Sequence, residues 1–200
     1  MIVRFLIVCE GSRTEPNYFR ELIKNNKYSS VIDAEIKGEG VGTCSLVRKT
    51  VQLRAEIEQR RGLKFDSVWV VFDKDSFPDF NEAIELADKQ GINSAWSNES
   101  FELWYYLHFE YLVTGIHRKD YIKKLNAVIR RHPGYEAYEY KKNDPNFYHL
   151  LQEIGSEEKA MASAQRMRIL YRSRNYARWK PCTFVDLLVE ELRNPTKVLE

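Results

Sequence analysis

The 200 residues, 44% hydrophobic and 30% charged, supply enough apolar material for a core and exclude a disordered chain. A net charge of +2 excludes a uniformly basic polyanion binder, so any nucleic-acid surface must come from local clusters of Lys and Arg. Three scattered cysteines, Cys9, Cys44 and Cys182, exclude both a disulfide framework and a paired-cysteine zinc site, and point to a reducing, cytoplasmic setting.

The first predicted strand covers Met1 to Cys9, where Ile2, Val3, Phe5, Leu6, Ile7 and Val8 are β-branched or otherwise apolar. Its apolar run is too short to cross a membrane, and no signal-peptide cleavage pattern follows. After Glu10-Gly11, Thr14 reads as the N-cap of a helix reaching about Asn25, with Glu15 and Pro16 in its first turn. Val31 to Lys37 alternates polar and apolar residues, as a strand near an edge does. The Gly38–Gly42 loop lacks P-loop spacing and reads as a plain strand-to-helix connection. An amphipathic helix is predicted over Thr43–Gly62.

The next strand is Val68-Trp69-Val70-Val71-Phe72, five apolar residues running into Asp73-Lys74-Asp75. Such a run reads as a strand buried on both faces. A helix over Phe77–Lys89 with Gly91 as C-cap and a strand over Ile92–Ser97 complete the alternation, which implies βαβ units and a mainly parallel sheet of about four strands. Phe101–Tyr111 is aromatic on nearly every side and reads as a buried helix. From Arg118 only helices are predicted: Arg118–Arg131, Asp144 to about Ile154, Ser156–Asn175 and Phe184–Leu192. The expectation is an α/β core over 1–115 followed by a helical half over 116–200 packed on it.

In an open α/β sheet, ligands bind beyond the carboxyl ends of the strands. Glu10 follows the first strand, and Asp73 and Asp75 follow the third. If the third strand continues through both aspartates, their side chains share a face. Close carboxylates repel unless a cation or proton lies between them, and oxygen-only ligands suit a hard ion, Mg²⁺ or Mn²⁺. Glu10, Asp73 and Asp75 are therefore the candidate metal ligands, with phosphoryl chemistry as the reaction such a centre supports. Glu15 and Glu102 lie at helix starts near the same rim and are candidates to complete the site or act as general base. His108, further along the aromatic segment, is a candidate acid or base; a buried core histidine is the plainer alternative. Basic residues crowd the second half, among them Arg118, Lys141, Lys142, Arg166, Arg172, Arg174, Arg178 and Lys180, interleaved with Tyr135, Tyr138, Tyr140, Tyr171, Tyr176 and Trp179. This mixture suits phosphates and unpaired bases.

Four segments together resemble the RloB family and, through it, the TOPRIM superfamily. Glu10-Gly11-Ser12-Arg13-Thr14-Glu15 resembles the opening Glu-Gly-x-x-Thr-Glu signature, and Asp73-Lys74-Asp75 is similar to the TOPRIM Asp-x-Asp. Ser97-Asn98-Glu99-Ser100-Phe101-Glu102-Leu103-Trp104, ending in His108-Phe109, resembles Ser-Asn-Pro-x-Phe-Glu-x-Trp-x-x-x-His-Phe, with Glu99 where Pro is usual. Lys180-Pro181-Cys182-Thr183-Phe184-Val185 resembles the closing Asn-Pro-x-Thr-x-Val, with Lys180 in place of Asn. The resemblance implies a Rossmann-like TOPRIM core that holds Mg²⁺ through Glu10, Asp73 and Asp75. It also implies a nuclease acting on RNA (tRNA included) or DNA, as an effector in bacterial phage defence, beside an ATPase partner. The alternative is a non-catalytic module that docks on such an ATPase. Oligomeric state is left open.

Overall fold

The computed structural model describes all 200 residues. Its frame is a four-stranded, all-parallel sheet in the order β2-β1-β3-β4. The strands are β1 (Val3–Cys9), β2 (Ile32–Gly38), β3 (Ser67–Lys74) and β4 (Asn93–Asn98). The helices between them are α1 (Thr14–Lys24), α2 (Thr43–Arg61) and α3 (Phe80–Lys89). After β4 come α4 (Glu102–Leu107), α5 (Arg118–Ile129), α6 (Phe147–Ile154), α7 (Glu157–Arg168) and α8 (Val185–Arg193). None of these helices is long and apolar enough to cross a membrane.

Strand alternation divides the core in two. Leu6 and Val8 of β1, with Val68, Val70 and Phe72 of β3, face a layer built by α2 and α3. Val3, Phe5, Ile7 and Cys9, with Trp69 and Val71, face a larger layer in which α1 meets the helices that follow residue 100. The helical half thus shares one apolar core with the sheet. β1 and β3 are buried on both faces, as their continuous apolar runs require, whereas β2 is half-exposed along its length and forms an edge. The other edge, β4, is partly covered by the segment before α8. Asn98 N–H donates to the Cys182 carbonyl (2.8 Å) and Phe184 N–H to that of Trp96 (2.8 Å), while the Ser97 and Thr183 hydroxyls pair at 2.9 Å. All three cysteines are free and buried.

Several elements differ from their predicted bounds. The aromatic segment is helical only over Glu102–Leu107, and within it the Tyr105 ring packs against Tyr18, Tyr140 and Phe147. The helix expected to continue to Asn175 ends at Arg168; Tyr171 to Lys180 form a loop in which the Tyr171 and Trp179 rings stack at 5.1 Å. Thr14 does not cap α1. The position before the helix is Arg13, with no side-chain cap, and the Thr14 hydroxyl donates instead to Asn143 Oδ1 at 2.7 Å. Gly91 is not itself the cap of α3: Gln90 is, and Gly91 follows it with φ +63°.

Candidate active site

β1 and β3 are adjacent although a helix–strand–helix excursion separates them in the chain, and the order reverses between them. That junction is where an open parallel sheet leaves a crevice. Glu10 stands at the end of β1, fixed by its own N–H donating to the Val71 carbonyl (2.8 Å). Its carboxylate reaches across the crevice, and Oε2 accepts the Asp73 N–H at 3.0 Å. The other oxygen, Oε1, lies against Gly42, where a Cβ would approach it to 3.1 Å. Asp73, at the end of β3, accepts the Phe101 N–H through Oδ2 at 3.1 Å, which ties it to the start of α4.

Glu15 and Glu102 join them. Glu15 is buried in the first turn of α1, and its carboxylate lies over Gly11, where a Cβ would stand 2.1 Å from Oε2; any side chain there would displace the carboxylate. Glu102 is also buried. Its Oε1 accepts from the Tyr140 hydroxyl (3.1 Å) and its Oε2 from the Ser100 hydroxyl. Glu15, Asp73 and Glu102 line one polar cavity of about 230 Å³ with Gly11, Thr14 and Lys142.

The electrostatics follow from this crowding. Burial, then repulsion from Glu15, Glu102 and Glu10, pushes the Asp73 carboxyl well above the usual carboxylate range. Burial, opposed in part by a backbone hydrogen bond, together with repulsion from Glu102 and Glu10, pushes Glu15 up to about 7. Glu10 is raised too, chiefly by burial, although the Asp73 N–H favours its charged form. Four carboxylates around one crevice are therefore held against their mutual repulsion.

Of the six residues singled out from sequence, Glu10, Glu15, Asp73 and Glu102 come together; Asp75 and His108 stand apart from that group. β3 ends at Lys74, so the alternation that would align Asp75 with Asp73 is lost. Asp75 instead forms an ion pair with Arg118 at the start of α5, which holds its carboxyl below the usual range; it remains near enough to raise Glu10. His108 closes the far end of α4. It is buried, donates through Nδ1 to the Trp104 carbonyl (2.9 Å), and is held neutral by burial, which lowers its pKa to about 4. A residue not singled out from sequence is Lys142, one member of a basic run, which the α5–α6 loop brings to the cavity wall.

The donor set is all carboxylate oxygen, with no imidazole or thiolate in the crevice, and suits a hard divalent ion. The Glu15 carboxylate fills the space beside Gly11, and the Phe77 ring and Glu10 Oε1 fill that beside Gly42. No three of these groups stand in ligating geometry.

Comparison with known proteins gives one match. A family model described as RloB-like protein matches residues 5–192. No curated protein matches, and no solved structure does.

Proposed function

The chain belongs to the RloB-like family, and from that premise we propose that it is a metal-dependent nuclease of TOPRIM type, acting on phosphodiester bonds of RNA, tRNA included, or DNA. The observation that carries the reading is the convergence of Glu10, Glu15, Asp73 and Glu102 on the crevice between β1 and β3. Glu10 and Asp73 are the residues that would hold Mg²⁺ or Mn²⁺, with Asp75 joining when it leaves Arg118. Such an ion, when bound, lowers the pKa of water and offsets charge on a transferring phosphoryl group.

The protein's own groups divide the remaining work. Glu102 has both oxygens engaged, by Ser100 and Tyr140, so its part is to fix the start of α4 and with it the Phe101 N–H that orients Asp73. Glu15 has no such partners among side chains and titrates near neutrality, which suits it to take the proton of an attacking water. Gly11 leaves its carboxylate room to do so. A role in phage defence and an ATPase partner are the corresponding biological proposals, drawn from the family resemblance.

The test is incubation of the purified protein, alone and with a cognate ATPase, with tRNA and with DNA in Mg²⁺ or Mn²⁺. Cleavage that Asp73→Asn removes while the fold is retained supports the reading. Absence of cleavage, together with full cellular protection by Asp73→Asn, favours the non-catalytic docking module.

A further inference from the structure

The helical half reaches the acidic crevice through the loop between α5 and α6. This loop is pinned at two points. The Tyr140 hydroxyl donates to Glu102 Oε1 at 3.1 Å, and Asn143, which adopts φ +69°, accepts from the Thr14 hydroxyl at 2.7 Å. Between these anchors sits Lys142, the single cation that lines the cavity. Three further cations near the rim are engaged: Arg118 with Asp75, Lys180 with Glu99 at 2.6 Å, and Lys74 with the Asp75 carbonyl at 2.7 Å. Lys142 is exposed and forms no ion pair, although its charge is felt by Glu10 and Glu15. A lysine on a loop anchored on both sides of it, lining a cavity with three carboxylates yet bonded to none, is positioned for an incoming anion.

We infer that Lys142 is a catalytic residue that contacts the scissile phosphate, donating from its ammonium to a non-bridging phosphate oxygen. The inference rests on the nuclease reading above and adds to it a residue from outside the acidic cluster. In the reaction, the water oxygen forms a bond to phosphorus as the bond to the leaving oxygen breaks. One water proton goes to Glu15, and the leaving oxygen takes a proton from bulk water. Lys142 keeps its proton throughout and offsets the charge that gathers on the non-bridging oxygens.

Two measurements on the full-length, Mn²⁺-loaded protein test this. Lys142→Gln should cut the cleavage rate of an oligonucleotide by about 100-fold or more, with Lys142→Arg recovering part of it. A phosphorothioate at the scissile position should slow the wild type more than it slows Lys142→Gln, a readout that a merely structural lysine would not move. Separately, inorganic phosphate titrated calorimetrically should bind Lys142→Gln at least tenfold more weakly than wild type, while Mn²⁺ affinity is unchanged or tighter. A wild-type cleavage rate in Lys142→Gln overturns the proposal, and so does equal phosphate affinity in the two proteins. The phosphate arm decides on Lys142 even if no nucleic acid is cut, in which case the nuclease reading falls by itself.

Discussion

Lys180 Nζ lies 2.6 Å from Glu99 Oε1, so the two positions at which this chain departs from the family pattern are bonded to each other. Glu99 Oε2 also accepts the Arg118 N–H at 3.0 Å, and Lys180 packs on Gly115, where a Cβ would stand 2.2 Å from its side chain. The pair therefore joins the end of β4, the start of α5 and the loop before α8. Glu99 adopts φ +79°, a conformation closed to proline, whose ring fixes φ near −65°. Glu99→Pro is expected to destabilise by about 3 kcal/mol or more in urea titration. The Glu99–Lys180 coupling, measured by a double-mutant cycle, should be about 1 kcal/mol or less because both side chains are part-exposed. A neutral Glu99→Pro would contradict the backbone assignment.

The acidic cluster gives the metal-free protein a pH dependence of defined sign. Glu15 is raised from 4.5 to about 7, so the folded state holds its proton longer than the unfolded chain does. This contribution is present below pH 4.5 and is lost as pH rises toward 7. Its full size is roughly 3 kcal/mol. Glu15→Gln should remove that slope and raise stability at pH 7.5. Added Mn²⁺ should stabilise the wild type at that pH and stabilise Asp73→Asn far less. An unchanged pH slope in Glu15→Gln would show that its carboxyl does not carry this repulsion.

His108 acts with the opposite sign. Burial lowers its pKa from 6.5 to about 4, so the unfolded chain binds a proton that the folded state refuses. Stability contributed by neutral His108 is complete above pH 6.5 and declines as pH falls toward 4, by up to about 3 kcal/mol. Nδ1 donates to the Trp104 carbonyl, which leaves Nε2 the unprotonated acceptor, buried without a partner. Denaturant titrations at pH 5 and pH 7 should show a smaller difference in His108→Gln than in wild type. Equal differences would place the titrating group elsewhere.

Arg168 and Asp186 tie α7 to α8. The guanidinium pairs with both oxygens of a fully buried carboxylate, Nη2 to Oδ2 at 2.6 Å, and also donates to the Thr183 carbonyl at 3.1 Å. Burial raises the Asp186 carboxyl, and Arg168 works against that rise. Removing one partner alone strands the other charge. Arg168→Met should cost about 3 to 5 kcal/mol, and adding Asp186→Leu to it should recover much of the loss. A double variant no better than the single one would show that specific packing by the pair, not charge burial, sets the cost.

The sheet was legible because its signals are local. Continuous, β-branched apolar runs at Phe5–Cys9 and Val68–Phe72 read as strands buried on both faces, and Glu10 and Asp73 are placed at their carboxyl ends by position in the chain alone. The alternation of strands and helices implied parallel pairing, so the rim on which these acids lie followed before any contact was known.

Which groups then share the crevice was decided by contacts between distant segments. Sequence placed Asp75 beside Asp73; the end of β3 at Lys74 and the Arg118 guanidinium turned it away. Glu15 entered because Gly11 leaves space above its backbone, and Glu102 because Tyr140 and Ser100 hold it. Lys142 looked like any other member of a basic run until Thr14, at the start of α1, fixed its loop through Asn143. Periodicity reports which face of an element is dry; it carries no term for the partner that a charged end will meet, because that energy depends on distances set only when remote parts of the chain have packed.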